Sequence, residues 1–263
     1  MSNELLSERM RGHRPASAEL AGRVIVITGA GSGIGRAVAL SASAHGAEVI
    51  LVGRTVAKLK GVHAEIEAQG GQALIAPLNL ESALAADFDQ LATAVQERYG
   101  RLDGLLHNAA QLGMLAPVEH YDIPTWCRVV HVNLTAAFAL TQVLLPLLRA
   151  SADASLVHTS SAVGRHGQAF WGAYAATKFA LEGLTQVLAD ELASHENMRV
   201  NTINPGPTRT ALRRAAYPSE DLETLVAPET LMNSYLWLLG PASRGVSGRS
   251  LDCQLPYWPL APG

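Results

Sequence analysis

The strongest constraint on the fold is an alternation that runs through most of the chain. Short β-branched runs, apolar on both faces, take turns with stretches of helical spacing. "RVIVITG" reads as a buried strand, and "GIGRAVALSASAHG" after it repeats Ile34, Val38 and Ala42 at helical intervals. "AEVILVGR" is a second strand, and "TVAKLKGVHAEIEAQG" a second helix opened by Thr55 as a cap and closed by glycine. "QALIAPLN", "LDGLLHNAA", "SLVHTSS" and "MRVNTINPG" continue as strands three to six. Between them lie helices over 82–99, 124–148 and 172–194. Strands apolar on both sides and separated by helices predict a doubly wound α/β fold, a parallel sheet between two helical layers. Residues 207–228 break the rhythm, being polar and bounded by prolines. They read either as a lid over a site or as a surface excursion with two short helices.

Composition narrows the class further. At 263 residues, with 48% hydrophobic and 16% charged residues, the chain has enough apolar material for one large core. We expect one domain over 21–263 behind a polar N-terminal tail, 1–20. A formal net charge of -3 gives no attraction to a nucleic-acid backbone or an anionic membrane. Basic clusters are small, as at Arg209, Arg213 and Arg214. Cys127 and Cys253 are far apart, and the nine histidines form no HxH or HxxxH pair, so no metal site is expected. With no secretory leader and no uninterrupted apolar run of about 20 residues, the expectation is a reduced, cytoplasmic protein.

Where the first strand turns into the first helix stands "TGAGSGIG", Thr28 to Gly35. Glycines there permit a tight turn and close approach of a phosphate, and the helix start offers amide donors. Gly29, Ser32, Gly33, Ile34 and Gly35 are therefore candidate dinucleotide contacts. The spacing is GxxxGxG, which departs from the common GxGxxG fingerprint. After the second strand the chain reads Gly53, Arg54, with no carboxylate for a ribose diol. An arginine there suits a 2′-phosphate, which points to NADP(H) in preference to NAD(H).

Strand five ends in Thr159, Ser160 and Ser161, and the next helix carries Tyr174 and Lys178 one turn apart. Together with "TGAGSGIG", "HNAA", "HVNLTAAF", "TSSAVG", "YAATK" and "INPGPTRT", in this order and spacing, these residues resemble the short-chain dehydrogenase/reductases. The likeness runs from about Gly22 to Asp252, and the wording around Tyr174 is most similar to a bacterial subgroup of short-chain oxidoreductases. It implies a Rossmann-like domain and assigns Tyr174 as general acid/base, Lys178 as its activator and ribose ligand, and Ser161 as the hydroxyl facing the carbonyl. Asn133 would hold a water in a relay to Lys178. Asn108 would brace the sheet beside the cofactor. Pro205, Gly206, Thr208 and Thr210 would meet the nicotinamide amide and the phosphates. Two departures stand out: Ala110 replaces a common glycine, and Asn79 a common aspartate near the adenine. The C-terminal "DCQLPYWPLAPG" also lacks the terminal glycine pair common in the family.

A free phenol ionises near pH 10, so neutral-pH proton transfer needs about 4 kcal/mol of preferential phenolate stabilisation for a ~3-unit shift. A lysine one turn away is the expected source. The leading reading is hydride transfer between NADP(H) and a small-molecule carbonyl or secondary alcohol. A silent NADP(H)-binding sensor or scaffold is the alternative, and retention of both Tyr174 and Lys178 counts against it. Gln111, Arg165, His166, Trp171 and the 207–228 segment are the candidate substrate contacts. The resemblance also implies a homodimer or homotetramer built on the helices at 124–148 and 172–194.

Overall fold

The computed structural model describes residues 1–255; the C-terminal stretch from position 256 onward, where the terminal glycine pair would fall, lies outside the described residues. In chain order the elements are α1 (Asn3–Arg11), β1 (Val24–Thr28), α2 (Gly33–Ala44), β2 (Glu48–Gly53), α3 (Val56–Ala68) and β3 (Gln72–Pro77). Next come α4 (Ala85–Tyr99), β4 (Gly104–His107), α5 (Ile123–Val130), α6 (Ala136–Arg149) and β5 (Ala154–Thr159). The chain continues with α7 (Gly172–Glu191), β6 (Met198–Asn204), α8 (Ala211–Ala216), α9 (Met232–Leu239) and β7 (Arg249–Asp252). The strands form one sheet in the order β3-β2-β1-β4-β5-β6-β7, with every pairing parallel. The order reverses between β1 and β4, so a crevice opens at the carboxyl ends of those strands.

The two-sided apolar strands divide their side chains between two cores, as a pleated strand must. Ile25, Ile27, Val49, Leu51 and Leu106 face α2, α3 and α9. Val24, Val26, Ile50, Val52 and Leu105 face α4, α6 and the far end of α7. Each such aliphatic side chain contributes about 1.5–3 kcal/mol of burial free energy, which is why the alternation dominates the fold.

Three features differ from the sequence expectation. The residues read as a polar tail contain α1, which docks through buried Leu6 and Met10. Ser7 Oγ accepts from the Asp252 amide, and Arg11 donates to the Asp252 carbonyl, so α1 is fastened to the sheet edge at β7. That seventh strand escapes a sequence reading because "RSLD" is short and polar; only pairing with β6 makes it a strand. Thr55 does precede α3, but its side chain makes no capping bond.

The expected helix over 124–148 is interrupted by a π turn, His131–Thr135, between α5 and α6. The run Ile123–Arg149 is long and apolar enough to cross a membrane, yet Val132, Ala136, Leu140, Leu144 and Leu148 are buried within the protein. At the amino end of the sheet, Arg23 and Arg199 converge on Asp153, and Asp103 accepts from the Val24 amide. This buried ionic knot lies at the opposite end of the strands from the crevice.

Candidate active site

At the carboxyl ends of the strands lies a cleft of about 1000 Å³. Its first wall is the glycine-rich turn. Gly29 has φ 70° and Gly33 φ 54°, the left-handed region that glycine enters without strain. A Cβ on Gly35 would lie 2.3 Å from the Gly29 carbonyl oxygen, so helix and turn close on each other only because the side chain is absent. Gly29, Ser32, Gly33 and Ile34 line the cleft, while Gly35 sits behind them as packing. Ser32, the N-cap of α2, makes no side-chain capping bond, and the first turn carries no acid. The leading amides of α2 are thus left to an anion.

The adenosine end is shaped by the loops that leave β2 and β3. Arg54 is largely exposed and lies 3.7 Å from Glu81. Lys58 lines the same wall, a second cation one turn further along α3. Asn79 also lines the cleft, but its Oδ1 already accepts from the Glu81 amide at 3.2 Å. With an uncapped helix start, left-handed glycines and two cations, this wall has the donor set for an anionic dinucleotide carrying an extra phosphate.

The opposite end is built from β5, α7 and the loop after β6. Tyr174 is 7% exposed and Lys178 2%. Lys178 Nζ donates to the Thr159 carbonyl at 2.6 Å and lies 5.3 Å from the Tyr174 ring centroid. Among the described residues no protein group hydrogen-bonds the Tyr174 or Ser161 hydroxyl, and both residues line the cleft. Asn108 spans from β4 to β1, its amide donating to Thr28 Oγ1 and its Nδ2 to the Thr28 carbonyl. Pro205, Gly206, Thr208 and Thr210 all line the cleft, with Thr210 also capping α8 through the Arg213 amide.

Asn133 is placed differently from the other named residues. It sits in the π turn behind the cleft wall. Its Oδ1 accepts from the Gln111 amide at 2.7 Å, and its Nδ2 donates to the Gln111 carbonyl and to Thr177 Oγ1. Both amide protons are therefore in use, and the side chain works as a clamp on the Gln111 backbone.

Electrostatics also differ from the expectation for an activated phenol. Burial pushes Tyr174 further above its usual value, and holds Lys178 down to about 8 with Glu182 opposing. Among the protein's own groups, desolvation therefore outweighs the attraction that one turn of helix suggested. The ammonium lies over the ring and spends a proton on the Thr159 carbonyl.

Beyond Tyr174 the wall is aromatic. Trp171 packs edge-on against Tyr174 at 5.7 Å and tilted against Tyr217 at 5.8 Å. Val163, Ala216 and Leu212 belong to the same apolar cluster, and Ala110 packs against it. The 207–228 segment folds over it as α8 and a short 3-10 turn, its ends joined by the Thr208–Val226 bridge. Gln111 and Trp171 line the cleft as expected; Arg165 and His166 are outside its lining. Arg165 is instead bound to Asp252 at 2.8 Å and lies beside Glu182.

Sequence reasoning alone does not single out Lys58, Glu81, Tyr217 or Gln254. Lys58 has a findable signal, since it lies four residues after Arg54 on the opening turn of a helix. Gln254 has none: its Nε2 ties the carbonyls of Pro205 and Pro207, a contact made across 47 residues or more.

The chain is similar to known proteins in both sequence and fold. A family model described as short chain dehydrogenase matches residues 23–221. The uncharacterized oxidoreductase YciK of Escherichia coli K12 is 47% identical over 243 residues, covering 92% of this chain and 96% of the relative. A solved chain from Pseudomonas syringae, assigned as a short chain dehydrogenase, superposes with a TM-score of 0.91 at 50% identity, covering 92% and 98%. Another, from Escherichia coli CFT073 and solved in complex with NADPH, gives 0.89 at 48% identity, covering 92% and 100%.

Proposed function

Because this chain belongs to the short-chain dehydrogenase family, we propose that it moves a hydride between NADP(H) and a carbonyl or secondary alcohol, with Tyr174 as general acid/base. One observation carries the reading. Among the described residues, a buried phenol presents a hydroxyl with no protein partner to the cleft, beside a buried ammonium and at the end of a sheet whose first turn is uncapped. A surface pair on a helix would have neither the burial nor the crevice.

The residues that would hold the dinucleotide are Gly29, Ser32, Gly33 and Ile34 at the diphosphate, Arg54 with Lys58 at a 2′-phosphate, and Asn79 and Asn108 along one wall. Pro205, Gly206, Thr208 and Thr210 would hold its nicotinamide half. When bound, the cofactor supplies the hydride and, oxidised, a positive charge near the phenol. In the reducing direction Tyr174 gives its proton to the carbonyl oxygen. Ser161 donates a hydrogen bond to the same oxygen as charge develops there. Lys178, held by the Thr159 carbonyl, keeps a cation beside the phenolate that results. The Trp171, Tyr217, Leu212 and Ala216 wall favours an apolar group on the substrate.

NADP(H) is supported by Arg54 and by the relative solved with NADPH. We place the protein in the cytoplasm as a homodimer or homotetramer acting on a small molecule, without nucleic-acid or membrane partners. The exposed Phe138, Phe179 and Val187 on α6 and α7 support a second copy there. NADPH consumption over a carbonyl panel, with wild type and Tyr174→Phe side by side, tests the chemistry. Loss of turnover by about 10²- to 10⁴-fold with NADPH affinity kept is expected. Equal turnover by both would end the role given to Tyr174. NADPH binding without any turnover would favour the silent sensor.

A further inference from the structure

Glu81, just past the end of β3, has no part in the proposed hydride transfer, yet it joins the two ends of the cleft. Its Oε2 accepts from Gln111 Nε2 at 2.8 Å and lies 3.7 Å from Arg54 Nη1. Its Oε1 is 3.9 Å from Arg128 Nε. The residue is fixed from behind, since its own amide donates to Asn79 Oδ1. Gln111 is in turn clamped through its backbone by Asn133, whose Nδ2 reaches Thr177, the residue before Lys178. An unbroken polar chain therefore runs from Arg54 through Glu81 and Gln111 to the helix that carries Tyr174.

We infer that Glu81 is a coenzyme-specificity residue, the counter-charge that Arg54 must give up when a 2′-phosphate binds. This rests on the reading of Arg54 as the 2′-phosphate ligand. A doubly charged phosphate held by Arg54 would share that guanidinium with the Glu81 carboxylate, which lies 3.7 Å from it. Like charges sharing one partner repel even at a wet surface. A dinucleotide with a plain 2′-hydroxyl carries no such charge and feels little of it. Glu81 thus moderates the preference for NADP(H) that Arg54 creates, while its second function is to hold the Gln111 side chain at the cleft edge.

Glu81→Gln is the informative change, because the amide oxygen still accepts from Gln111 Nε2 and only the charge is lost. NADPH and NADH affinities are measured by fluorescence titration for wild type, Glu81→Gln and Arg54→Gln, with thermal melts beside them. Glu81→Gln is expected to tighten NADPH by about 3- to 10-fold, leave NADH within about 2-fold, and lose its advantage as salt rises. Arg54→Gln is expected to weaken NADPH alone. If Arg54→Gln lowers the NADPH-to-NADH preference but Glu81→Gln leaves it unchanged or lowers it, the inference on Glu81 is overturned and Arg54 keeps its role. If Arg54→Gln leaves the preference untouched, the reading of Arg54 falls, and the inference with it.

Discussion

Replacing Lys178 by methionine should make this protein more stable while removing its proposed chemistry. The lysine is 2% exposed, and burial sets its folded value at about 8 against an ordinary 10.5. Holding the charged form in that site at neutral pH therefore costs about 3 kcal/mol. Methionine fills nearly the same volume without a charge. The Thr159 carbonyl loses its ammonium donor, which returns about 1 kcal/mol. A net gain of about 2 kcal/mol remains, or roughly 4–8 °C in Tm for a domain of this size. The same values set the pH dependence. Between about 8 and 10.5 the unfolded chain holds the lysine proton and the native chain has released it, so wild-type stability rises with pH across that window. The advantage of Lys178→Met is full below 8 and shrinks through the window; above 10.5 only the lost Thr159 contact remains, and the variant should be about 1 kcal/mol less stable than wild type. Thermal melts of both proteins over that range measure it. A variant less stable than wild type at neutral pH, or a gap that stays constant with pH, would refute the claim that the ammonium is buried at a cost.

Three further outcomes are expected. Asp153→Asn leaves Arg199, 3% exposed, and Arg23 facing a neutral amide, and should lower unfolding free energy by about 3 kcal/mol or more in urea titrations. In the wild type, against the upward push of burial, Arg199 and Arg23 hold that carboxyl at about 2, so its contribution is complete above 3.8 and is lost as pH falls to about 2. His107, stacked on His158 at 5.1 Å, is kept neutral by burial down to about 3. Stability should therefore fall by up to ~1.4 kcal/mol per pH unit as pH drops below 6.5, and His107→Gln should flatten that slope in acid titrations followed by circular dichroism. Gly35→Ala forces a Cβ onto the Gly29 carbonyl at 2.3 Å, so NADPH affinity should fall at least 10-fold with a lower Tm; an unchanged titration would contradict the packing described for the turn.

The layered architecture was legible because a parallel strand is buried on both faces. Val24 to Ile27 is buried on both faces and apolar throughout, so its composition alone announces it. The glycine turn was legible for a related reason, since Gly29 and Gly33 sit at angles other residues adopt only with strain. Tyr174 and Lys178 could be paired because one helical turn is a local distance. By contrast, β7 and α1 take their place from partners about 50 residues or more away. Arg165 was a reasonable substrate contact from its position after β5, and only the folded chain brings Asp252 to it.

Local rules of backbone geometry and hydrophobic burial act over a few residues, and the order of elements, the phosphate turn and the reactive pair all come from them. Which charges meet is a different matter. Glu81 against Arg54, Asn133 against Gln111 and Lys178 against the Thr159 carbonyl are contacts between different elements, well beyond the reach of one helical turn. Their distances and their solvent shielding set the electrostatics of the cleft, and both exist only once the sheet has closed.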